Sequence, residues 1–218
     1  MSDTPIDVFI DLPSFPGPVQ AGRLWSHFRK GRESASFEYN KEWLANPHRF
    51  ALEPLLPLAD GTFHTNPGQS VFGAIGDSTP DRWGRILMRR AELARARTAN
   101  ESPHTLSELD YLLRVNDEAR QGALRFSQDG GQSFCAPRGL TPIPPLVNLS
   151  RLLHAADHFC RDDENAEDLR LLLAPGSSLG GARPKASVKD KKGNLCIAKF
   201  PRHDDEYNVV AWEAVALT

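Results

Sequence analysis

Proline placement limits this chain more tightly than any other feature of its sequence. Pro137, Pro142, Pro144 and Pro145 crowd into one short stretch. Each fixes its own φ and removes a backbone donor, so residues 137–145 cannot form regular structure and mark the expected domain boundary. Upstream, Pro47, Pro54, Pro57 and Pro67 recur too closely for a long helix. Before them, the apolar run 7–12 predicts a strand closed by Pro13. Residues 21–28 and 34–39 flank the polar turn Arg29-Lys30-Gly31-Arg32-Glu33, which predicts a hairpin carrying Leu24, Trp25, Phe28, Phe37 and Tyr39.

Between the two proline regions, Asp77-Ser78-Thr79-Pro80-Asp81 is a helix start, and Trp83, Leu87, Ala91 and Ala94 give the helix over 79–97 its apolar stripe. Thr105 and Glu108 form a capping-box pattern for a helix over 105–113, and residues 122–126 read as a strand. Beyond the boundary, helices are expected over 146–159 and 165–173, strands over 186–189 and 195–200 about a Lys191-Lys192-Gly193-Asn194 turn, and a last helix from Asp204. The expected fold class is α+β, with one domain over 1–136 and a second over 146–218.

Composition narrows the function classes. A chain 40% hydrophobic and 25% charged is ordinary globular material, which excludes collagen, coiled coil and wholesale disorder. The net charge of −2 gives no global attraction to nucleic acid or anionic lipid. No apolar run has the length of a membrane span, and the acidic start MSDTPIDVFIDLP is unlike a signal peptide, so a cytoplasmic protein is expected. Cys135, Cys160 and Cys196 are odd in number and lack CxxC spacing, which argues against a disulfide framework or a structural zinc site.

The most informative residues lie between Gly176 and Glu213. Gly176, Gly180 and Gly181, with Ser177 and Ser178, make a loop whose amides can wrap an oxyanion. The loop is not a Walker motif, and taken alone a plain glycine turn explains it better. In the strand that follows, both faces are apolar, so the strand is expected to be central and Lys199 to bury its ammonium unless it ends the strand and reaches water. Glu213 shares a helix stripe with Val209, Ala216 and Leu217, either as a partner for Lys199 or as the edge of that stripe. A strand lysine, a helix glutamate and an upstream glycine loop are how kinases hold ATP phosphates. Lys185 is a second phosphate contact or an exposed strand lysine.

The string from Ser177 through Gly180-Gly181-Ala182-Arg183-Pro184-Lys185 to Ala186, followed by Ile197-Ala198-Lys199-Phe200-Pro201, resembles the HipA family of toxin kinases. So do Asp77 to Arg85 and Arg120-Gln121-Gly122-Ala123-Leu124-Arg125-Phe126. The resemblance implies an N-terminal subdomain followed by the ATP-binding start of a core similar to phosphatidylinositol kinases and protein kinases. It implies a serine/threonine kinase toxin, with a HipB-like DNA-binding antitoxin, DNA reached only through that antitoxin, and a protein substrate such as an aminoacyl-tRNA synthetase. It further implies that Gly180, Gly181, Ala182, Arg183, Pro184 and Lys185 line the ATP phosphates, that Lys199 is the nucleotide-binding lysine, and that Ser178 is the autophosphorylation position. A phosphoserine there would add negative charge inside the loop; an ordinary loop hydroxyl is the simpler alternative.

The family's catalytic aspartate and magnesium ligands lie downstream of that lysine, and only residues 201–218 follow it here. The 218-residue chain alone is therefore expected to be inactive, with neither a catalytic residue nor a metal ligand assigned. His203-Asp204-Asp205 lies too near Lys199 for a catalytic loop, and Asp204 is expected to cap the last helix. The rival reading is a non-enzymatic module that binds an antitoxin, DNA or a separate kinase subunit. His154, Asp157, His158 and Cys160 have partial metal-ligand spacing but read better as a solvated face. Arg82, Arg85, Arg89, Arg90, Arg95 and Arg97 make one helix basic, either as a solvated face or as phosphate contacts.

Overall fold

The computed structural model describes residues 5–134, 143–176 and 181–218. In chain order the elements are β1 (Ile6–Ile10), β2 (Val19–Arg29), β3 (Arg32–Tyr39), α1 (Lys41–Ala45), β4 (Thr62–His64), α2 (Gly73–Gly76), α3 (Arg82–Ala99) and α4 (Glu108–Arg114). There follow β5 (Leu124–Ser127), α5 (Leu149–Cys160), α6 (Ala166–Gly176), β6 (Lys185–Lys189), β7 (Leu195–Lys199) and α7 (Val209–Ala216). The fold is mixed α+β. It divides into two units: Met1–Thr79, Leu106–Asp117 and Gln121–Ala136 form the first; Pro80–Thr105, Glu118–Arg120 and Pro137–Thr218 form the second.

The first unit is built on an antiparallel sheet in the order β4-β3-β2-β1-β5. Its buried side chains include Ile6, Val8, Ile10, Leu24, Phe37, Trp43, Phe72, Leu112 and Phe126. Tyr39 shows how a polar atom enters this core. Its hydroxyl donates to the Leu56 carbonyl at 2.7 Å and accepts from the Leu52 amide at 2.9 Å, while burial pushes its pKa up. The β2–β3 turn is tighter than spacing predicts, because Lys30 and Gly31 both have positive φ and pairing runs out to Arg29 and Arg32. The capping box of α4 also lies two residues later than expected, between Ser107 and Asp110.

The second unit's core joins Trp83 and Leu87 of α3 to Leu152, Ala156 and Phe159 of α5, Leu169 and Leu172 of α6, and Ala186 and Val188 of β6. Trp83 meets Phe159 edge to face at 5.1 Å. This packing assigns α3 to the second unit, whereas its place in the sequence puts it within 1–136. Helix α3 starts after Asp81, whose side chain accepts from the Arg82 amide at 2.7 Å.

Strand β7 is not central, contrary to what its apolar faces suggest. Among the described residues it pairs with β6 alone, and Leu195 and Ile197 are exposed. Neither is Asp204 a helix cap: α7 begins after Asn208, whose side chain accepts from the Ala211 amide at 3.0 Å, and Asp204 pairs with Arg202. Among the described residues no helix is long and apolar enough to cross a membrane.

Candidate functional site

The site grows from the start of α3. Asp81 accepts from the Gly181 amide with one oxygen and caps α3 with the other. These two backbone N–H groups hold its carboxyl below the usual carboxylate range. The Trp83 amide donates to the Gly181 carbonyl at 2.9 Å, and the Trp83 indole donates to the Lys185 carbonyl at 2.9 Å. Gly181 and the start of β6 are thus fixed to α3. Gly181 has φ of 81°, and a Cβ there would lie 2.8 Å from the Lys185 ammonium nitrogen. Glycine suits this position chiefly for its backbone conformation, since the Lys185 ammonium is the end of a flexible side chain that can move aside.

Antiparallel register sets Lys185 directly opposite Lys199, so the two ammonium groups share one face of the ribbon. Like charges in that relation repel unless anions intervene. Glu213 of α7 supplies one, forming an ion pair with Lys199. Lys199 is half-exposed rather than buried, which corrects the expectation of a desolvated ammonium. Burial pushes the Lys185 pKa down, the Lys199 charge adds to the effect, and Asp81 and Glu213 oppose it.

Around the lysines, Gly181, Ala182, Arg183, Lys185, Lys199 and Glu213 contribute to a cleft of about 240 Å³. A larger groove of about 620 Å³ shares Lys199, Phe200, Val209 and Val210 and is otherwise lined in part by Leu149, Leu153 and Tyr207. A cationic cleft thus runs into an apolar groove.

Gly181, Ala182, Lys185, Lys199 and Glu213 all border this cleft. The Arg183 side chain instead grips Asp205, through guanidinium bonds of 2.8 and 2.9 Å. The Pro184 carbonyl accepts from the Phe200 amide at 2.9 Å. Gly180 and Ser178, with Ser177 and Leu179, lie outside the described residues. Asp81 is the residue that spacing could not find, because its partner is distant in the chain. Among the described residues no group of three or more His, Cys, Asp or Glu side chains is arranged to hold a metal ion. His158 instead shares a 3.0 Å hydrogen bond with Asp168, and the His154 ring lies tilted against it with centroids 4.0 Å apart. Of the α3 arginines, Arg90 pairs with Asp162 and Glu164, Arg95 with Glu92 and Glu101, and the Arg85 Nε donates to the Pro80 carbonyl at 2.8 Å.

In a comparison with known families, residues 17–127 fit the model described as the HipA N-terminal domain. The chain belongs to the HipA family. Its matched region includes β2, β3 and β5 of the first unit and also α3, so the HipA N-terminal domain continues into the packing of the second unit. The lysine cleft lies beyond the match. No curated protein matches the chain.

Proposed function

We propose that the second unit of this HipA-family chain binds a purine nucleoside triphosphate, as the nucleotide-holding part of a serine/threonine kinase toxin. The observation that carries this reading is the Lys185–Lys199 pair set face to face beside Gly181, with Glu213 on Lys199. Two cations held side by side suit an oligophosphate better than a single carboxylate. Glu213 would orient Lys199 toward the phosphates, as the lysine–glutamate pair of protein kinases does. The exposed Ala182 and Arg183 amides have no partner among the described residues and would add donors. The adjoining apolar groove would take the base.

ATP, when bound, would supply the phosphoryl group. No described residue is assigned to magnesium, whose ligands the family resemblance expects downstream of Lys199. In the full reading the phosphoryl acceptor is a protein, such as an aminoacyl-tRNA synthetase, and a HipB-like antitoxin restrains the kinase. Ser178 would be the autophosphorylation position.

Titration of the chain with a fluorescent ATP analogue tests the reading. Saturable binding that weakens at least tenfold in Lys199→Ala, and less in Glu213→Gln, is expected. Absence of binding by the unaltered chain defeats the reading. A second reading, a non-enzymatic interaction module, is favoured by α7, none of whose residues is buried and whose Trp212 and Val215 are both 65% exposed. It gains if the chain binds no nucleotide yet retains a HipB-like protein that Trp212→Ala releases.

A further inference from the structure

The β2–β3 hairpin extends past its neighbours. β1 pairs with β2 only as far as Leu24, and β4 pairs with β3 only from Ser36 to Glu38. Among the described residues, no further strand pairs with the two from Trp25 to Ser34. His27, Phe28, Arg29, Lys30, Gly31 and Arg32 are all exposed, Phe28 by 58%.

Arg29 stands directly opposite Arg32 in the register, with Lys30 in the turn between them. Like charges so placed destabilise a hairpin. Among the described residues none of the three has an ion-pair partner. The adjacent acid, Glu33, is engaged elsewhere: its carboxylate accepts from the amides of Glu108 and Leu109 at 2.8 and 3.2 Å and from the Ser26 hydroxyl at 3.3 Å. Three unpaired cations therefore sit together on a chain whose net charge is −2. They are not a by-product of a basic composition.

We infer that this tip is a contact for the phosphate backbone of duplex nucleic acid. Guanidinium forks match phosphate oxygens, and a two-stranded ribbon is narrow enough to enter the major groove. The exposed Phe28 ring lies next to the cations in sequence and adds apolar contact to sugar or base edges. Lys30 and Gly31 close the turn with positive φ, which fixes the backbone from which the cations project. The contact is independent of the lysine cleft in the second unit.

The test is the affinity of the full chain for a labelled random-sequence duplex, measured over a series of salt concentrations. Each phosphate contact contributes a slope of about −0.9 in log K against log salt. The triple variant Arg29→Gln, Lys30→Gln, Arg32→Gln should flatten the slope by roughly 2–3 and weaken binding at least tenfold at about 0.1 M salt. Its thermal midpoint should not fall, since no folded-state partner is lost. Lys191→Gln, at an exposed lysine outside the lysine cleft, should keep the slope of the unaltered chain. The inference is overturned if the triple variant retains the slope, if the unaltered chain does not bind the duplex, or if poly-glutamate binds as tightly as DNA, which would point to an acidic protein instead.

Discussion

At the scale of single residues, the hydrogen bonds of two aspartates make testable statements. Asp129 accepts from the Ser127 and Ser133 hydroxyls and from the Ser133 amide, and these bonds, led by the one from Ser133, push its pKa down to about 2. A depressed carboxylate stabilises the fold above its ordinary value of 3.8 and ceases to do so as pH falls through about 2. NMR titration should place Asp129 near that lower value, and Ser133→Ala should move it back up. Asp81 serves α3 and Gly181 together, so Asp81→Ala should cost about 1 kcal/mol from the lost cap alone. Denaturant unfolding reads that loss directly. Thiol chemistry gives a third expectation: exposed Cys196 should alkylate before Cys160, which is half-buried and whose pKa burial pushes up. Peptide mapping after brief iodoacetamide treatment would show the order. Lysine and glutamate types at kinase-like spacing announced the Lys199–Glu213 pair, whereas the Asp81–Gly181 bond left no local trace in the chain.

Elements differ in how much of them the sequence makes visible. The hairpin is readable because alternation and a basic-glycine turn act over a few neighbouring residues. The helix caps are readable in kind but not in place: Thr105-x-x-Glu108 and Ser107-x-x-Asp110 are competing boxes, and the second wins in the fold, where Glu33 also caps the first amides of α4. β7 misleads for a different reason. Apolar residues on both faces usually mean burial, yet among the described residues β6 alone pairs with the strand, and Leu195 and Ile197 stay exposed. Close strand packing supplies a prediction at this scale. A Cβ on Gly22 would meet the Glu38 carbonyl oxygen at 2.2 Å and the Phe37 ring at 2.5 Å. Gly22→Ala should therefore destabilise the first unit by at least about 1–3 kcal/mol, as overpacking does. A lowered thermal midpoint checks it.

The division of the whole molecule is the feature least visible in its sequence. The proline stretch draws attention to a single boundary, yet residues 80–105 and 118–120 belong with the unit that follows it. Only long-range packing reveals this, because the apolar stripe of α3 is equally suited to any core. A fragment ending at residue 136 would keep α3 and lose Leu152, Phe159 and Val188, against which Trp83 and Leu87 pack. Limited proteolysis should cut that fragment within α3 and spare α3 in the full chain. Protection of α3 in the fragment would count against the two-unit division.

The same arrangement bears on synthesis at the ribosome. Helix α3 emerges well before α5, α6 and β6 are translated, so Trp83 and Leu87 leave the exit tunnel with no partners yet made. For that interval the nascent chain carries an open apolar stripe, a natural ligand for a holding chaperone. Pausing of translation between residues 100 and 150 would prolong its exposure.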